Sequence, residues 1–403
     1  MKIWCSQRIL DETHINVMLV LPVGSRNDRF PHEHHLLEHL ILEIEMPNGN
    51  TLREYLDNRG IQSKAATSRD LITLAFTAQA TKKAASFIND AISSIISSQW
   101  NKSTENSVVS VLESEMFAIP TNMTKAARLS AEFSYWREEN NLDPHYVHTT
   151  MDNLSQQLPS YLKSLINESL ILIDDPTNFL YKALNERLSI NRTNSPLPKL
   201  HTEYAYDKDE KFSVFARPTN LSSIIIGTNR KLHIEEQLSM LAISYCLSRG
   251  MRSGLLWNIN QMRQFALYYM IAWFKASAKD AILAVDWVSI PDKELSIKHE
   301  VLNTLTLIAK NHDLLKKELP FAINEIHIQA QRIKEMPVIE RFKAMAIEIL
   351  DGNENPSYDS IFRKIDTITI EKCSHLLNEF IQYPVLFINQ KGQAQFQKIT
   401  EED

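Results

Sequence analysis

With 403 residues, 44% of them hydrophobic and 23% charged, the chain has a globular composition, which excludes the disordered and fibrous classes and is long enough for two domains. A formal net charge of -6 without long lysine or arginine runs argues against nucleic acid as a main partner, because phosphate binding needs a concentrated basic field. Cys5, Cys246 and Cys373 are far apart and lack CxxC spacing, which excludes a disulfide framework or thiolate metal site and fits a reducing compartment.

The chain starts without a basic segment, apolar core and cleavage site in succession, so no secretory signal is expected. Its apolar runs, such as 221–227 and 266–273, are far shorter than the roughly 20 residues of a membrane helix. A cytoplasmic chain with no membrane partner is the expectation.

Residues 15–21, "INVMLVL", read as a buried strand leading into the turn "PVGSRND". A helix carrying "HEHHLLEH" at 32–39 follows and runs through 36–46, where Pro47 and Gly49 stop it. A short helix at 51–59 ends at Gly60, and 61–78 reads as two strands around a turn at Ser68-Arg69-Asp70. Helical patterns cover about 81–98, 103–117, 121–136 and 151–166, before the strand-like 169–175. Residues 190–204 carry two prolines and no apolar period, as a linker does.

Beyond the linker the order recurs loosely. Strands are predicted at 211–216 and 222–227, helices at 234–248 and 251–263, strands at 265–275 and 280–287, then long helices and a strand at 384–388. The pattern is α+β, with a degenerate internal duplication: a first domain over 1–190, a linker over 191–204 and a second domain over 205–403.

Residues three and four apart share a helix face, so His35, Glu38 and His39 project together. Two imidazoles at that spacing reach one zinc ion at about 2.0–2.1 Å, and the carboxylate approaches a water on it. Such a site needs a third protein ligand. In "STENSVVSVLESEMF" at 103–117, Val108, Val111 and Leu112 form an apolar stripe whose next position is Glu115. That aims a carboxylate at the core, where it needs a metal or partner, as Glu113 on another face does not. Glu115 is the preferred third ligand, and Glu105 a supporting residue on a nearby face. His32 and His34, at the start of the helix, read as capping or water-facing residues outside the site.

The motif H-x-x-E-H at 35–39, with "LPVGSRNDRFPHEHHLLEHLI" around it and the following "SKAATSRDLITLAF", resembles the insulinase (pitrilysin) family of zinc peptidases. The resemblance implies zinc ligands at His35, His39 and Glu115, with Glu38 as general base. Glu115 stands 76 positions beyond His39, within the roughly 70 to 80 of the family pattern. It also implies two tandem α/β-roll domains, mixed or antiparallel sheets packed with helices, forming half of a clamshell.

Two departures are visible. In "SRGMRSGLLWNINQMRQFALYYMIAWF" the family's arginine and tyrosine positions fall on Asn260 and Leu267, and a supporting glutamate seven before the distal ligand is Val108. A chain with the metal set but not that pair resembles the metal-bearing subunit of heterodimeric members. The implied function is a zinc endopeptidase subunit acting on peptides or unfolded precursor segments, including precursors of ribosomally made peptides, with a homologous subunit of similar size supplying the pair. The alternatives are a general peptide-turnover protease, a noncatalytic scaffold subunit of the same fold, and a histidine-rich metal-buffering module.

Overall fold

The computed structural model describes residues 1–6, 9–30, 32–97, 104–118, 128, 132, 135–136, 151–152, 157–188, 221–248, 254–257, 269–350 and 358–397. They belong to two compact units that interleave along the sequence. The first takes the described parts of Met1–Phe117, Asn141–Asp207 and Ile333–Tyr358, the second those of Ala118–Asn140, Lys208–Arg332 and Asp359–Asp403. The sequence predicts contiguous halves; instead, each unit includes a piece of the other half, and the linker expected over 191–204 lies outside the described residues, as does the strand expected at 211–216.

In the first unit β1 (Lys2–Cys5), β2 (His14–Leu21), β3 (Gln62–Thr67), β4 (Ile72–Gln79) and β5 (Leu170–Asp174) form one sheet in the order β1-β5-β2-β4-β3. Only the β1–β5 pair is parallel. β2 is a continuous apolar run because both its faces are buried. Ile15, Val17, Leu19 and Leu21 enter the main core, and Met18 and Val20 point the other way. The main core is completed by α1 (Glu33–Leu42), α2 (Leu52–Asp57), α3 (Lys82–Ser97), α4 (Glu105–Ala118), α5 (Leu158–Asn167) and α6 (Phe179–Leu188).

The second unit repeats the arrangement. β6 (Ser222–Thr228) is flanked by the hairpin of β7 (Tyr269–Ala276) and β8 (Ala281–Val288) on one side and by β9 (Val385–Ile388) on the other, with β10 (Ala394–Gln397) outermost. β10 runs antiparallel to its neighbour where β1 runs parallel, so the duplication is imperfect at the edge. Its helices include α7 (Ile234–Leu247), α8 (Glu294–Lys310) and α9 (His312–Glu335). The next helix, α10 (Val338–Leu350), returns to the first unit and covers the face left by Met18, Val20, Leu170 and Leu172. The chain closes through α11 (Tyr358–Ile365) and α12 (Ile370–Gln382) before β9. An α+β protein of two sheets packed by helices is therefore what forms. Among the described residues no helix is long and apolar enough to cross a membrane.

Candidate active site

After β2 the chain turns through 24–27 and is pressed against the β3–β4 turn. The Ser25 N–H donates to the Ser68 carbonyl at 3.1 Å and the Arg26 N–H to the Arg69 carbonyl at 3.0 Å. A Cβ on Gly24 would overlap the Ser68 oxygen, so this crossing requires glycine. Buried Arg26 adds an ion pair to Asp70 at 2.9 Å. The clamp sets the end of β3 beside α1.

Every residue of α1 except His35 is buried. The helix ends at Leu42, short of the expected 46, because the backbone beyond it pairs with itself: the Met46 N–H donates to the Asn50 carbonyl and the Leu52 N–H to the Ile44 carbonyl, around a turn with Gly49 at φ 81°. At its start His32 sits in the left-handed region at φ 64° with no side-chain cap bond, and Asp28 accepts from the His34 N–H at 3.0 Å instead.

His35, His39 and Glu115 come together. His35 Nε2 lies 3.3 Å and His39 Nε2 3.6 Å from the same Glu115 Oε2, with the two imidazole centroids 5.1 Å apart. Their ligand-type atoms all lie within 4.8 Å of one another. His39 Nε2 is buried and has no hydrogen-bond partner. A buried ring nitrogen left unpaired beside a second imidazole and a carboxylate is a donor set that a divalent ion completes, so these residues fit zinc. Glu38 is also buried, and burial pushes its carboxyl above the usual range; hydrogen bonds from Thr67 and the nearby His39 oppose that shift, while the Glu115 charge adds to it.

The buried stripe of α4 differs from the expected one. Val108, Val109 and Leu112 are buried, Val111 is 44% exposed, and the Glu115 side chain is 49% exposed. Glu115 is thus not a core carboxylate. It is half exposed and still reaches both imidazoles. Glu105 is buried at the other end of the stripe; ten residues place it about 15 Å along the axis from Glu115, beyond direct contact. His34, expected to cap or face water, is fully buried with its ring between Asp28 and Tyr161. Asn260 and Leu267 lie outside the described residues. Thr67 has no signal in the sequence, because only the register of β3 against β4 and the Gly24 clamp place it at Glu38.

No family model matches the chain, and no curated protein sequence matches it. Its fold does match solved structures. One, described as an M16-like peptidase from Alicyclobacillus acidocaldarius, superposes with a TM-score of 0.69 at 11% identity over 97% of this chain and 93% of that one. A protease from Helicobacter pylori gives 0.65 at 14% identity over 98% and 96%. A chain of complex III from Candida albicans gives 0.68 at 13% identity over 94% and 91%. At such identities the likeness establishes the fold alone, one that these three chains share.

Proposed function

We propose that the chain is a zinc-dependent endopeptidase subunit, with His35, His39 and Glu115 as metal ligands and Glu38 as general base. The observation that carries this reading is the convergence of three donors around the unpaired, buried His39 Nε2, with a buried carboxylate one residue away in sequence. Zinc held there supplies a polarised substrate carbonyl and a water of lowered pKa. Glu38 takes the proton of the attacking water and passes it to the leaving amine. Its burial favours holding that proton between the two transfers, and the Thr67 bonds keep the carboxylate aimed. β3 is an edge of the first sheet and ends at Thr67, so a peptide can add to it as a further strand whose backbone lies beside Glu38.

Asn260 and Leu267 at the positions of the oxyanion-stabilising pair make a homologous subunit of similar size the source of those groups, because loss of such a donor costs several kcal/mol. Peptides and unfolded precursor segments are the substrates, and maturation of a ribosomally made peptide is the role this organisation suits. The same departures, with the likeness to a complex III chain, favour a second reading: a noncatalytic subunit of the same fold.

Zinc content and peptide cleavage, measured on wild type and Glu38→Gln with and without the homologous subunit, test both. Stoichiometric zinc in both proteins and a fall in kcat of about 10²–10⁴-fold in Glu38→Gln are expected. A wild type without zinc defeats the catalytic reading, and full cleavage by the chain alone defeats the two-subunit reading.

A further inference from the structure

His34, the neighbour of His35, is engaged on every side. Its N–H and Nδ1 both bond Asp28 Oδ1, Nε2 meets the Tyr161 hydroxyl at 2.8 Å, and its carbonyl accepts from Thr67 Oγ1 at 3.3 Å. Asp28 at Nδ1 and the Tyr161 hydroxyl at Nε2 engage both ring nitrogens. Arg29 lies over the Tyr161 ring, 4.6 Å from its centroid, and pairs with Glu33. Ligand-type atoms of Asp28, Glu33 and His34 approach within 4.8 Å of one another, so by residue type alone they resemble a second metal site. Each already has a protein partner, and Glu33 and His34 are wholly buried.

We propose that Asp28, His34 and Tyr161 are positioning residues for the metal-binding helix, a role that rests on the zinc reading above. Asp28 accepts the His34 N–H in the first turn of α1, where Glu33 is held by Arg29, so this turn is restrained from both residues. His34 fixes the turn from which His35 projects, and Tyr161 ties that turn to α5. Thr67 donates its hydroxyl to the His34 carbonyl and also lies against the Glu38 carboxylate, so the same residue links the orientation of the ligand to that of the base. Outer partners of this kind set ligand direction without touching the ion.

Tyr161→Phe keeps the ring beneath Arg29 and removes only the hydroxyl. On the full chain, chelator competition should show zinc affinity reduced about 10-fold, and the visible spectrum of the cobalt-loaded protein should change, while the melting temperature of the metal-free protein barely moves. Asp28→Asn should weaken zinc further. Wild-type zinc affinity and an unchanged cobalt spectrum in both variants, with or without a lower melting temperature, overturn the positioning role. So does a second zinc in wild type that Asp28→Asn loses, since the cluster is then itself a metal site. If wild type holds no zinc, or holds it equally after His35→Ala and His39→Ala, the zinc reading has failed and the positioning role falls with it.

Discussion

Asp286 is 1% exposed in the second unit, where Ser223 Oγ and Trp273 Nε1 each donate to its carboxylate at 2.7 Å. Burial nevertheless outweighs these bonds and the Arg128 charge, and pushes its pKa from 3.8 up to about 6. The folded unit therefore holds this proton more tightly than the unfolded chain does. The resulting stability is fully present below about pH 4 and is lost as pH rises through about 6, a change of about 3 kcal/mol. Denaturant unfolding should show wild type losing that much more stability than Asp286→Asn between pH 4 and 7; parallel profiles contradict the assignment. This carboxylate had no signature in "AILAVDWV", where one polar residue in an apolar strand is unremarkable until its neighbours are known. His35, Glu38 and His39 were legible because helical spacing alone puts them together. Glu115 was reached by an argument its exposure overturns: the stripe led to a residue that does meet both imidazoles, but as a half-exposed carboxylate rather than a buried charge. Thr67 and Tyr161 meet α1 through contacts between distant segments, which periodicity within one segment does not encode.

At the scale of elements, long periodic segments were legible and short edges were not. β2, β4 and α3 match their patterns because each buries a whole face, whereas β1 and β10 have four residues apiece and are recognised only by pairing. The end of α1 was misread because helix formers continue to Met46, and the reversal at Pro47–Gly49 outcompetes them with backbone bonds of its own. α10 was expected as one more helix of the second half, yet its apolar face, with Val338, Phe342, Ala346 and Ile349, packs in the first unit. Phe342 is fully buried there and meets Trp4 edge to face, 6.4 Å between centroids. Phe342→Ala removes that ring from both β1 and the sheet face, and should cost about 3–5 kcal/mol in chemical denaturation, with the loss in the unit that holds the candidate zinc site. A cost below 1 kcal/mol shows that α10 is an ornament on this sheet rather than part of its core.

For the whole molecule, this packing means that the half with the candidate metal site does not carry its own complete fold. A fragment of residues 1–190 contains His35, Glu38, His39 and Glu115 and all five strands of the first sheet. Without α10, however, it leaves Met18, Val20, Leu71, Ala75, Leu170 and Leu172 facing water. Six apolar side chains in one contiguous sheet face forgo burial worth roughly 1.5–3 kcal/mol for each large one, which is comparable to the entire stability of a domain. Residues 205–403 retain α10 but lack the first sheet that it covers, so both fragments present sticky complementary surfaces. Each expressed alone should aggregate or melt without a cooperative transition, and co-expression should recover a soluble complex that binds zinc as the intact chain does. A cooperative thermal transition from 1–190 alone, with native zinc affinity, defeats the interleaved reading and makes the first half a self-sufficient module. The expected result instead makes the candidate zinc site of the first half depend on a helix from the second.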